Sequence, residues 1–149
     1  MLMRSHLALG LAGILFFLPS ITYKAAFVIV VLIATLLPDI DSMHSFLGNR
    51  WYLRPLQWAT KHRGVLHSFS FCLFVSILLC FITPILSLPF FLGYSIHLFA
   101  DSFTQEGIRP FWPFKDEISG SVTTGGNIEK GLFYGVLLLD LILFVRFFI

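Results

Sequence analysis

The stretch GYSIHLFADSFTQEGIRPFWPF, residues 93–114, opens as an apolar helix of membrane grade and sets His97 and Asp101 four residues apart. In an α-helix that spacing stacks an imidazole and a carboxylate on one face, near enough to share a metal ion. Thr104 continues the face one turn on, and Gly107 and Pro110 then turn the chain into a loop. An ionisable pair ending an apolar helix is costly and is therefore a functional candidate. The plain alternative is a helix end where the two side chains meet water and each other, so the reading depends on what the rest of the chain brings to the same place.

Of the 149 residues, 57% are hydrophobic and 12% charged, with eighteen phenylalanines and a mean hydropathy of +0.88. Soluble domains carry roughly 25% charged residues, so the composition excludes an ordinary soluble fold and indicates one integral membrane domain over residues 1–149. Cys72 and Cys80 lie eight residues apart in one apolar run. On a helix that is about 12 Å, too far for a bridge, and they are expected to be buried packing residues.

Before the opening stretch, apolar runs predict a first helix over about Ser5–Ile21 and a second over about Tyr23–Leu37, stopped by Pro38. A basic start followed by a short apolar run resembles a signal peptide, but no small-residue cleavage site follows, and the helix is expected to be retained. Both helices are short against the ~20 residues that span a bilayer, so they either span thinned lipid or form a re-entrant pair. Asp39–Ser68 is a polar stretch containing Trp51, Tyr52 and Trp58, which suits the membrane surface. Phe69–Leu88 is long enough to cross, with Pro84 a point where it can end or bend, Pro89–Phe103 returns, 105–130 is a loop, and Gly131–Ile149 is a last apolar helix. The fold class is all-α: a polytopic helical membrane protein of about four to five transmembrane or re-entrant helices.

Five passes put the N-terminus and both polar loops on one side. Arg4, Arg50, Arg54, Lys61, Arg63, Arg109, Lys115 and Lys130 fall there, while only Lys24 and Arg146 fall opposite. Basic residues favour the cytoplasm, so the N-terminus is expected to be cytoplasmic. All five histidines lie on that side or at its boundary, with every acidic residue except Asp140. Asp140, inside GVLLLDLILFV, is expected to find a polar contact within the bundle as a packing residue.

Helix ends and one loop can therefore gather His6, Asp39, Asp41, His62, His67, His97 and Asp101. Mixed imidazole and carboxylate donors suit zinc, manganese or iron, and the lack of nearby cysteine argues against a structural zinc site. Seven candidates exceed the needs of one ion, which leaves one ion with supporting residues or two ions sharing carboxylates. Arg63 can face an anionic oxygen such as phosphate, and Asp39 or Asp41 can act as base. Taken singly, His6 reads as an interfacial residue, Asp39 and Asp41 as turn caps, and His62 and Arg63 as lipid-facing charges. His44 has no helical partner. The separate explanations must be repeated for each residue, and convergence favours a site.

With these residues assembled, the chain resembles the YdjM-like family of LexA-binding, inner-membrane metal-dependent hydrolases. The resemblance rests on His6, LPDIDS at 37–42, HRGVLHS at 62–68 and the 93–114 stretch, in that order. Family members often carry Thr where this chain has Leu66 and Ser where it has Ile96; neither difference removes a candidate ligand. The resemblance implies a small helical protein of a bacterial or archaeal inner membrane with a divalent-metal hydrolase site at the cytoplasmic face, and, in some members, control by the DNA-damage repressor. The carried-over ligands are His6, Asp39, Asp41, His62, His67, His97 and Asp101.

The expectation is a multi-pass hydrolase of an ester or phosphoester, holding one or two zinc or manganese ions. Asp39, Asp41 and Arg63 are its catalytic candidates. Membrane lipid and a small-molecule or lipid-linked substrate are the expected partners, with no nucleic acid. The alternatives are a non-catalytic metal-binding or metal-transport protein and a purely structural membrane protein.

Overall fold

Apolar runs become helices here wherever no proline or polar cluster interrupts them. In the computed structural model, which describes residues 1–43, 45, 48–59 and 64–148, the helices are α1 (Met3–Phe17), α2 (Lys24–Leu36), α3 (Arg54–Ala59), α4 (Phe69–Ile82), α5 (Pro84–Ser102) and α6 (Asn127–Phe148). No β-strand occurs among the described residues; the loop between α5 and α6 is held by isolated bridges, Thr104 to Val122 and Ile108 to Ile118. The all-α expectation stands. Two segments, Met3–Ser20 and Pro84–Ser102, are long and apolar enough to cross a membrane, and α4 is a shorter apolar helix.

Boundaries differ from expectation at α1, which ends at Phe17, at α6, which starts at Asn127 rather than Gly131, and most of all at α5. The chain breaks at Thr83, whose φ of −145° and ψ of 79° leave the helical region, and α5 starts at Pro84 rather than at Pro89. A proline in the first position of a helix has no N–H to lose. Pro89 lies inside α5 and is buried, leaving the Ile85 carbonyl without its intrahelical donor. The helix gains five residues at its start and ends at Ser102.

α5 is the central element, packed against α1, α2 and α4, while α6 lies along α1. Tyr94, Leu98 and Phe90 of α5 form one core cluster with Ala34 and Cys72. Gly93 is what lets α2 come so close: a Cβ there would run into the Val31 carbonyl and approach Ala34 Cβ at 3.0 Å. On α6 the buried and half-buried positions Glu129, Phe133, Val136, Asp140 and Leu143 recur every three or four residues, and Leu138, Leu141 and Ile142 are exposed. That is one helix stripe against a neighbour and an apolar remainder suited to lipid.

Two smaller expectations are corrected. Cys72 is buried, but Cys80 is exposed, because it lies on the outer side of α4. Asp140 is only 5% exposed, yet neither carboxylate oxygen makes a hydrogen bond among the described residues.

Candidate metal centre

The starts of α1, α4 and α6 and the ends of α2 and α5 meet at one end of the bundle, and the ionisable residues are there. His97 and Asp101 project from one face of α5 as their spacing requires; both are buried. His6 comes from the second turn of α1, Asp39 and Asp41 from the turn Leu37–Asp41 after α2, and His67 from the turn Val65–His67 before α4.

Four donor atoms converge. His67 Nε2 lies 3.7 Å from Asp101 Oδ2 and 3.9 Å from Asp39 Oδ1. His97 Nε2 lies 3.6 Å and 3.8 Å from the same two oxygens. His67, His97 and Asp101 form one compact donor group, and His6, Asp39 and His97 form another that shares His97. The His6 ring stacks on His97 with centroids 4.0 Å apart, and its Nε2 lies 3.4 Å from Asp101 Oδ1. The amino group of Met1 is 2.5 Å from the same oxygen.

The residues behind the cluster fix how the imidazoles face it. His97 Nδ1 lies 2.7 Å from the Thr35 carbonyl. A carbonyl only accepts, so Nδ1 carries the proton and Nε2 presents a lone pair inward. The carbonyl is available because α2 gives way to a tighter turn at Leu37. His67 Nδ1 faces Asp41 Oδ2 at 3.2 Å, which orients His67 in the same way. Asp39 and Asp41 divide the work because a 3-10 turn has three residues per revolution, so positions i and i+2 point in different directions. Asp41 is buried behind His67, whereas the Asp39 side chain faces the cluster and is 20% exposed. Desolvation by burial pushes the His67 imidazole below its ordinary pKa, outweighing the opposing effect of Asp41.

These donors fit a divalent cation. Ligand atoms 2.0–2.1 Å from a tetrahedral zinc stand roughly 3.3–3.4 Å apart, and the four spacings above, 3.6 to 3.9 Å, are wider by a few tenths. His6 Nδ1 and Nε2 and His97 Nε2 are buried and make no hydrogen bond among the described residues. Buried imidazole nitrogens without a donor or acceptor are costly unless something else satisfies them.

Of the seven ligand candidates, six are thus brought to one end of the bundle, with Asp41 one layer behind His67. His62, Arg63 and His44 lie outside the described residues. Three contributors were not anticipated from the sequence. The Thr35 carbonyl is a backbone group that no side-chain pattern announces. Tyr94 donates its hydroxyl to the Leu66 carbonyl at 2.5 Å and pins the turn that carries His67. Glu129, buried at the start of α6, accepts from Leu2 N at 2.7 Å, Ser5 Oγ at 2.6 Å and Gly125 N at 2.6 Å. Gly125 has a φ of +76°, a conformation that favours glycine. The polar residue Glu129 just ahead of an apolar run was the available signal.

An all-α bundle of apolar helices with a buried histidine–carboxylate cluster at one end defines a small membrane protein with a metal-competent centre. The comparisons bear on the membrane part of that class: the chain belongs to the YdjM inner membrane protein family, which matches residues 1–147. It is 37% identical over 91 residues to inner membrane protein YdjM of Escherichia coli (strain K12), a match that covers 55% of this chain and 46% of the relative. The inner membrane protein YdjM of Shigella flexneri matches to the same extent. The aligned region thus spans about half the length of these curated relatives. No solved structure matches.

Proposed function

We propose that the protein is a membrane-bound, metal-dependent hydrolase acting on an ester or phosphoester at the cytoplasmic surface of the inner membrane. The observation that carries this reading is the approach of the His67 and His97 Nε2 atoms to the Asp101 and Asp39 carboxylates at 3.6 to 3.9 Å, with Asp41 and Thr35 aligning the two imidazoles. A zinc or manganese ion held there supplies Lewis acidity toward a carbonyl or phosphoryl group. His97 Nδ1 is committed to Thr35, so His97 can serve one ion only. A second ion would rely on Asp101 Oδ1 and His6, the pair now beside the Met1 amino group.

In this reading Asp41 keeps His67 in the tautomer whose Nε2 faces inward. Asp39 is the carboxylate with solvent access, which suits it to take a proton from an attacking water. Arg63 is assigned the developing negative charge. The excess of basic residues at the cluster's end of the chain supports a multi-pass arrangement with a cytoplasmic N-terminus. Elemental analysis of detergent-purified protein tests the proposal: zinc or manganese at one or two equivalents is expected, with loss in Asp101→Ala and His67→Ala. Metal-free protein, or metal unaffected by both substitutions, sinks it. Hydrolysis of a phosphodiester by the metal-loaded protein, lost in the same variants, separates catalysis from metal binding alone.

One observation favours metal transport instead: Asp140 is a buried carboxylate eleven residues along α6 from Glu129, about 16 Å deeper. It joins no donor group among the described residues, so it offers one stop rather than a route.

A further inference from the structure

The loop after α5 presents three aromatic rings on a fixed base. Its segment 109–117 is closed by Ile108 and Ile118, which exchange backbone hydrogen bonds of 2.8 and 2.9 Å. Ile108 is buried in the core cluster with Tyr94 and Leu98 of α5. The Pro110 carbonyl accepts from Phe69 N at 2.8 Å and Ser70 N at 3.3 Å, the first two residues of α4. Beyond these anchors Phe114 N donates to the Phe111 carbonyl at 2.9 Å, and Phe111, Trp112 and Phe114 are all exposed. The tip is thus mounted on the head of α4. Ser70 stands at the top of that helix's exposed stripe of Phe74, Ile77 and Phe81, at helical spacing down one face.

We infer that the 111–114 tip is a membrane anchor, seated at headgroup level in the leaflet bordering the cluster's end of the bundle, with the phospholipid interface as its partner. Two observations favour the bilayer over other occupants. The chain belongs to an inner membrane family, and the tip continues the exposed apolar face of α4, which a membrane protein turns to lipid. Rings such as Trp112 favour the level where hydrocarbon meets headgroup. Facing water, the same three rings would form an apolar patch of the kind that soluble surfaces avoid. Charge narrows the partner further. Arg109 and Lys115 balance Asp116 and Glu117, so 109–117 carries no net charge, and Arg109 is paired with Glu117 at 3.6 Å. A nucleic acid or an acidic partner would call for a basic surface, whereas aromatic insertion is indifferent to the sign of the headgroup. The carbonyl that fixes the tip also fixes the first turn of α4, two residues past His67. The anchor therefore sets the depth of the His67 turn relative to lipid, whether or not the cluster is catalytic.

The test is Trp112 fluorescence in the full chain carrying Trp51→Phe and Trp58→Phe, which leaves one of its three tryptophans. The protein is placed in phosphatidylcholine nanodiscs whose acyl chains are brominated at defined depths. Bromine next to the glycerol should extinguish most of the Trp112 emission, while bromine at the chain ends and aqueous iodide should each remove little. Mixing in phosphatidylglycerol should leave this profile unchanged. Phe111→Ser with Phe114→Ser should open Trp112 to iodide while metal content stays the same. If the two-Phe background does not fold, Trp112 is read as the difference between the unaltered chain and Trp112→Phe. Full quenching by iodide with none by bromine overturns the anchor, as does stronger quenching from the chain ends than from the glycerol level. Bromine quenching that requires phosphatidylglycerol overturns the charge-indifferent aromatic seat. Protection from iodide only in discs that hold two copies assigns the tip to a second copy and overturns the lipid partner.

Discussion

Two buried carboxylates, Asp101 and Asp140, meet opposite surroundings in this protein. At one end of the bundle Asp101 has His6, His67 and His97 within 4 Å, each imidazole drawn from a different segment. Midway along α6, Asp140 is about as buried and has no hydrogen-bond partner among the described residues. Burying a carboxylate costs several kcal/mol in either place. In the cluster, neighbouring donors and an ion-sized gap offset that cost; in α6 no hydrogen bond among the described residues does so. A buried charge becomes evidence of a site when its neighbours share a geometry, and burial alone is insufficient.

The contrast breaks first at Asp101. Asp101→Ala should lower metal affinity more than about a hundredfold, since it removes an anionic donor shared by three histidines, whereas Asp140→Ala should leave metal content unchanged; elemental analysis of both variants decides. Equal losses would erase the distinction. Asp41→Asn should weaken metal binding by about 10–100-fold, the usual effect of losing a carboxylate behind a histidine ligand, as read by competition with a chelator. Glu129→Ala leaves Leu2 N, Ser5 Oγ and Gly125 N without their acceptor and should cost about 2–3 kcal/mol, measured by thermal unfolding in detergent. Metal content should survive that change.

A further sharpening comes from pH. His67 binds a proton less readily when folded than when unfolded, so the unfolded chain takes up more protons as pH falls below about 6.5. The metal-free protein should therefore lose stability on acidification, and His67→Asn should flatten that slope. The smallest effect expected is for Asp140→Leu, which replaces an unsatisfied carboxylate by an apolar side chain and should raise the midpoint of unfolding slightly.

Much of the fold was legible because membrane helices announce themselves by composition, and the site because its residues fall in four short blocks. The helix boundary at Thr83 was harder to read. Pro84 and Pro89 are chemically alike, and only tertiary packing decides which one opens α5 and which lies within it. The split between Asp39 and Asp41 depends on a 3-10 turn that the LPDIDS pattern does not specify. Thr35 acts through its carbonyl and so has no residue signature. Ser5 and Glu129 are 124 positions apart, and no local periodicity connects them.

Tyr94 gives the cluster a kinetic character. Its hydroxyl anchors the turn bearing His67 to α5, the helix that itself carries His97 and Asp101. Three of the four converging donors thus belong to one mechanical unit, and rotating the Leu66 turn away requires breaking a buried bond. An ion in such a frame leaves by loss of one ligand at a time through the Asp39 opening, so exchange with external chelators should be slow, and Tyr94→Phe should speed release more than it weakens equilibrium binding.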